Sequence, residues 1–403
     1  MKNKQSIFSQ ELARDFKNKK INQLSDSDKK EYRMNMLENF FMEFSNKENR
    51  FIFFCPDIVV VNPIVEIIYK TALTVKNLGY SVIILHEIKG FRCKWILEKY
   101  KEYSDLTIDY IIDKKSKKSK KENNSYSFKP TDTLIIPDLF QDILENIREV
   151  KLLQKVVLVT GNAGIGNLQP GNTYKQLGVN SLLFLEKNTK EKYEKLFPEL
   201  DNSLLMSSYS IDNELYNSEK IIPNEILPAI AFNKNEKLAQ QVTNIFFNKY
   251  PNLRFFSIKF LDRQNYELYL ESLTRSCLFV YLDEDISFKK PVYEALTLGI
   301  PTVTNTRNDF EETDLFSFSK DPFEIADAIA EFCINWLECS NNTMKQSVLS
   351  LANSYDLTGK HSDVKFRNEV LQIFETLHQE KIKYFTSLKQ SVEKIETTIN
   401  EQK

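Results

Sequence analysis

Glu294 stands eleven residues beyond Asp283 in the stretch DEDISFKKPVYEA, directly after the apolar run CLFVYL. Pro291 marks a helix start there, because its missing N–H is no loss at the first helical position. A carboxylate near that helix start can accept two hydroxyl hydrogen bonds, as from a ribose. Lys289 and Lys290 precede it, where backbone N–H groups already favour an anion. Together these residue types suit a sugar nucleotide. The alternative is an ordinary acid in the first turns of a helix, with lysines facing solvent.

Other segments point to less. GNAGIGNLQPG holds four of the nine glycines in the 403-residue chain. It has neither G-K-[ST] nor a strict G-x-G-x-x-G, so it is a weak phosphate loop. Five cysteines (Cys55, Cys93, Cys277, Cys333, Cys339) and three histidines show no zinc spacing. The cysteine count is odd and scattered, which predicts a reducing, cytoplasmic setting. Lys114–Lys121 reads KKSKKSKK, a solvated loop that no core would accept. The balance of 54 basic against 56 acidic residues gives a net charge of −2 and argues against a broad nucleic-acid coat. No run of 18 apolar residues predicts a membrane span, and the first twenty residues lack the apolar stretch of a secretory signal.

The elements that must position these residues follow from periodicity. Leu37, Phe40, Phe41 and Phe44 recur at helix spacing, predicting a docking helix over Arg33–Phe44. RFIFFC reads as a buried strand. Asn62-Pro63 then caps and opens a helix that runs to Gly79. SVIILHE, TIDYIID, TDTLIIPD and KVVLVT continue the strands, with helices expected over Lys94–Tyr103 and Leu139–Val150. NSLLFLE and SLLMSSYS are weaker strand candidates. After residue 223 the alternation restarts: EILPAIAF, a helix over Glu236–Lys249, LRFFSIKF, a helix over Asn265–Arg275, CLFVYLD, a helix over Pro291–Leu298, PTVTN, and a helix from Asp321-Pro322 to Trp336. Two α/β repeats of similar size are expected, each with a parallel sheet. The expected boundaries are 1–48 for a helical extension, 49–215 and 216–350 for two Rossmann-like domains, and 351–403 for a helical tail. In that tail Phe385, Leu388, Val392, Ile395 and Ile399 step 3-4-3-4. The seam fits either a contact between subunits or a helix lying along its own chain.

The stretch D-I-S-F-K-K-P-V-Y-E-A-L-T-L-G-I-P-T-V resembles the signature of the large retaining family of GT-B glycosyltransferases, family 4 or group 1, E-G-F-G-x-P-x-x-E-A-x-x-x-G-x-P-V-V. Phe288, Pro291, Glu294, Ala295, Gly299, Pro301 and Val303 stand in the family's positions. The family's first Glu falls at Ile286, and Ser287 and Lys289 replace the two glycines around the Phe. The resemblance implies two Rossmann-like domains facing a cleft, the first for an acceptor and the second for a nucleotide sugar. It implies that Glu294 binds the donor ribose, with Lys290 at the same helix start. Lys234, with Lys237 second, matches the basic residue on the donor diphosphate, and Lys259 or Arg263 a second one. Asn305, Thr306 and Arg307 match the loop near the donor phosphates, and Glu311 or Glu312 an orienting acid. His86 is a poor match to a histidine near the reacting sugar.

The implied activity is transfer from a UDP- or GDP-sugar to an acceptor hydroxyl with retention and no catalytic metal or other cofactor. Two rivals stay open: a non-catalytic scaffold on a degenerate fold, and a transferase acting on modified DNA bases. Lys114–Lys121 is the candidate contact to an anionic acceptor, either DNA or a membrane surface, which would make the protein peripheral there. The tail helix is the candidate contact for a homo-oligomer.

Overall fold

A computed structural model describes residues 25–112, 126–148, 150, 153–160, 173–199, 202–207, 228–232, 236–261, 266–282, 290–298, 300–305, 317–338 and 363–401. The chain divides into two compact units. One comprises Met1–Phe184, Lys190–Leu205 and Glu369–Lys403, the other Leu185–Thr189 and Met206–Asn368.

The first unit is built on a parallel sheet of β1 (Arg50–Phe54), β2 (Ser81–Ile88), β3 (Thr107–Ile112), β4 (Thr133–Pro137), β5 (Gln154–Val159), β6 (Ser181–Phe184) and β7 (Ser203–Leu205), in the order β3-β2-β1-β4-β5-β6-β7. Its central strands are buried on both faces, as continuous apolar runs require of a parallel sheet. The helix after β1, α2 (Pro63–Asn77), forms as its signals dictate. Asn62 Oδ1 accepts from the backbone N–H of Ile64 (2.9 Å) and Val65 (3.3 Å), Pro63 sits at the first position, and Gly79 takes φ +91° just past the end. Asn62→Ala is expected to cost about 1 kcal/mol, read as a shift in the urea midpoint at unchanged slope.

α1 (Asp26–Ser45) carries the predicted docking stripe. Leu37 and Phe44 are buried, and Phe40 and Phe44 meet the Phe385 ring at 5.2 and 5.6 Å. Phe385 belongs to α10 (Asp363–Glu401), which returns to the first sheet. There the Phe374 ring lies 5.2 Å from Phe51 and 5.7 Å from Phe53, and Leu377 O accepts from Gln154 Nε2 at 3.1 Å. The start of the tail seam therefore packs on its own chain. The side chains of Val392, Ile395 and Ile399 lie outside the described residues.

Three elements depart from expectation in the first unit. The helix over Lys94–Tyr103 is α3 (Lys94–Lys99) and then a 3-10 turn over Lys101–Asp105. Tyr100 breaks it with an extended backbone (φ −126°, ψ 97°), which lets Tyr103 bury its ring 5.8 Å from Tyr69. The helix after β4, expected over Leu139–Val150, is the shorter α4 (Gln141–Ile147). α5 (Lys187–Leu196) escaped prediction because its sequence is mostly charged. Tyr193 and the nearby Phe197, at i+4 spacing, bury an aromatic face, with Thr189 buried one turn earlier.

The second unit has a parallel sheet of β8 (Pro228–Phe232), β9 (Lys259–Leu261), β10 (Leu278–Leu282), β11 (Thr302–Thr304) and β12 (Ser317–Phe318), in the order β12-β11-β10-β8-β9. α6 (Glu236–Lys249), α7 (Tyr266–Thr274), α8 (Lys290–Thr297) and α9 (Pro322–Glu338) follow β8, β9, β10 and β12. Val242, Phe246, Val280, Ile325 and Phe332 fill its core. The run LRFFSIKF is not one strand. Pro251–Leu253 form a 3-10 turn, Phe256 N donates to Leu253 O (3.0 Å), and only Lys259–Leu261 pair with β8. Phe256 plugs the core from a turn while Phe255 stays exposed, so the two rings do not alternate across a sheet.

Candidate functional site

In an open parallel sheet, ligands bind beyond the carboxyl ends of the strands, where the strand order reverses. In the second unit that reversal lies between β8 and β10, whose last residues Phe232 and Leu282 are paired. The sequence leaving β8 holds Lys234, and the sequence leaving β10 holds Asp283–Lys289. Both lie outside the described residues, as do Arg263, Thr306, Arg307, Glu311, Glu312, GNAGIGNLQPG and Lys114–Lys121.

The described candidates of this unit belong to elements that start or end on the same sheet edge. Lys237 is exposed in the first turn of α6. Asn305 is buried directly after β11. Lys290 is the first residue of α8, and Glu294 sits one turn on.

Glu294 is enclosed. Its Oε2 accepts from Tyr269 Oη at 2.8 Å, and its Oε1 accepts from Tyr266 Oη at 3.3 Å. Lys290 Nζ lies 3.6 Å from the same Oε1. The side-chain exposures are 0% for Glu294 and 10% for Lys290. Lys290, expected at the donor site with a solvent-facing lysine as the alternative, is a nearly buried cation beside the carboxylate. The carboxylate, expected to face a cleft, points to α7. Among the described residues, one ammonium and two hydroxyls stand where burial has removed water from the carboxyl group. Neither tyrosine was anticipated. Their signal was present in Y-E-L-Y, since residues three apart share one helix face.

In the first unit, His86 lies near the end of β2 and is fully buried. Its Nδ1 is 3.0 Å from Asp57 Oδ1, and its Nε2 is 3.0 Å from Tyr69 Oη. Burial lowers the imidazole pKa, against the opposing pull of the Asp57 carboxylate. With both nitrogens engaged, the ring braces the segment after β1 against the end of β2. Asp57 extends that brace by accepting from the N–H of Glu87 (3.2 Å) and Ile88 (2.9 Å).

Among the described residues, no helix is long and apolar enough to cross a membrane. No protein-family model matches the sequence, and no curated protein matches it either. Solved structures do match the fold. α,α-Trehalose 6-phosphate synthase from Burkholderia multivorans aligns over 82% of this chain and 100% of its own, at 8% identity and a TM-score of 0.50. The lipopolysaccharide outer core galactosyltransferase WaaB aligns over 81% and 99%, at 8% identity and a TM-score of 0.50. The pneumococcal O-GlcNAc transferase GtfA, solved with UDP and GlcNAc, aligns over 62% of this chain at 12% identity and a TM-score of 0.41. The chain spans 57% of that structure's length. The protein is a mixed α/β chain with two parallel sheets, and the structural neighbours it matches along nearly their whole length include GT-B glycosyltransferases, whose fold it shares.

Proposed function

We propose that the protein is a glycosyltransferase that moves a sugar from a nucleotide-sugar donor, UDP- or GDP-linked, to an acceptor hydroxyl. The observation that carries this reading is the placement of Glu294 and Lys290 on the helix that follows β10, beside the strand-order reversal of the second sheet. In this reading Glu294 holds the donor ribose. Lys234 and Lys237 take the diphosphate, with Arg263 as a further cation. Asn305, Thr306 and Arg307 donate hydrogen bonds to it. The acceptor oxygen bonds to the anomeric carbon as the carbon–oxygen bond to the diphosphate breaks, and the hydroxyl proton passes to the departing diphosphate oxygen. The charge that develops on the departing nucleoside diphosphate is taken up by lysines and the N–H groups at the start of α8, with no metal required. Retention is what the resemblance of the signature stretch implies, and His86, buried with both ring nitrogens engaged, acts as a brace in the first unit rather than on the sugar. The acceptor is anionic, held through Lys114–Lys121, and the outer part of the tail seam, Val392 to Ile399, joins two copies.

One observation favours a second reading. Both oxygens of Glu294 are already engaged by the chain's own groups, as suits a scaffold that no longer takes a donor. Saturation-transfer measurements with UDP-, GDP-, ADP- and CMP-sugars separate the two. Selective binding of one donor is expected, weakened at least tenfold in Glu294→Gln. Silence across the panel from folded protein would overturn the transferase reading in favour of the scaffold.

A further inference from the structure

All strands of the first sheet run parallel, so the segments that follow them leave from one edge. The segment after β1 is pinned there at both ends. Asp57 ties it to β2 as described, and Ile58 O accepts from Cys93 Sγ (3.3 Å) and Trp95 Nε1 (3.2 Å). Four residues later, Asn62 caps α2. Between these anchors Val59 and Val60 are held outward, 77% and 46% exposed. Leu139, in the segment after β4, is exposed on the same edge. The segment after β2 presents Lys89, Arg92 and Lys94 to solvent, with Phe91 and Trp95 half-buried among them. Glu87 and Glu98 flank it, so cations exceed acids by one over this span.

We propose that this edge of the first unit docks on an anionic lipid surface. A mobile loop could fold its valines inward, but this one is braced at both ends. Two adjacent exposed valines with a net excess of one cation favour lipid over a nucleic acid, whose phosphates call for a denser set of cations. A lipid interface uses every group present. The valines enter below the headgroups, the tryptophan and phenylalanine lie at headgroup level, and the cations meet anionic headgroups. Docking would bring lipid-borne hydroxyls to the edge where a parallel sheet binds its ligands. The inference deepens the proposed function by naming the source of the acceptor and rests on that reading for its purpose, yet vesicle binding itself needs no donor.

The test is co-sedimentation of the full chain with vesicles of phosphatidylglycerol and phosphatidylcholine, and with phosphatidylcholine alone, at several salt concentrations. Val59→Asp/Val60→Asp and Arg92→Glu/Lys94→Glu are compared with wild type. Lys192→Glu/Lys195→Glu, on exposed positions of α5, is the charge-matched control. Binding only to anionic vesicles, falling with salt, is expected. The valine pair should lower the partition coefficient at least tenfold, and each charge removed should lower it about fivefold. The control should bind as wild type does. Failure of wild type to bind either vesicle would overturn the proposal. So would equal losses in the control, or duplex DNA displacing the protein from vesicles through these same residues. A protein that binds vesicles but no nucleotide sugar would keep this inference and lose the transferase reading.

Discussion

Glu294→Ala is expected to lower the stability of the second unit by about 3 kcal/mol, whatever the protein's ligand. The carboxylate is fully buried, and among the described residues it meets Tyr266, Tyr269 and Lys290. Alanine removes the acceptor of two hydroxyls and the carboxylate beside the Lys290 ammonium, and breaking a buried pair from one side costs more than the pair is worth. The small exposure of Lys290 gives the ammonium some relief, which keeps the loss at the lower end of the usual range. Glu294→Gln retains shape and one acceptor oxygen and should lose less than alanine, although it too removes the counter-charge beside Lys290. Restoring stability by adding Lys290→Met to Glu294→Ala would identify the stranded cation as the source of the loss. Urea unfolding of the four proteins checks this, and an alanine variant within 0.5 kcal/mol of wild type would contradict the buried arrangement. The donor-binding comparison therefore uses glutamine, because a loss of binding in the alanine variant could report unfolding.

The second large effect concerns Lys381 on α10. Its ammonium is buried against the first sheet, where Nζ donates to Asp132 O at 3.0 Å. Desolvation pushes its pKa down from 10.5 to about 7; the Asp132 carboxylate opposes the shift and Lys155 adds to it. The unfolded chain keeps this proton up to about pH 10.4. Between about pH 7 and pH 10 the unfolded state thus binds more protons than the folded state, so stability rises with pH across that window. Below pH 7 both states are protonated and the contribution is flat at its least favourable. Lys381→Met should remove the rise and add about 2 kcal/mol at pH 7. Other groups titrate in the same range, so the difference between wild type and variant is the quantity to follow. Parallel stability curves from pH 6 to pH 10 would refute the assignment.

Much of the fold was legible because its signals are local. The Asn62-Pro63 start and the Gly79 stop act within a few residues of the helix they bound, and α2 appears where they place it. The run CLFVYL could only be a buried strand, being too short and too apolar for a surface helix. The position of Glu294 on a helix after that strand was legible for the same reason. LRFFSIKF misled because apolar content alone does not separate a strand from a turn that plugs a core, and Pro251 had already tightened the backbone. α5 was missed for the converse reason, since two aromatic contacts outweigh eight polar residues once a core is there to receive them.

The sequence by itself determined the alternation of strands and helices, the caps that end them, and the chemical types at each sheet's carboxyl edge. Only the tertiary structure decided the strand orders, and with them which segments lie beside one another at each reversal. It also decided the partners: Tyr269 for Glu294 across 25 residues, Asp57 for His86 across 29, and Leu377 for Gln154 across 223. Caps and periodicity carry no information over such separations. Those contacts form because burying α10 and α7 against their sheets removes apolar surface from water, and the polar groups drawn in with them must find whichever partner the packing has brought within reach.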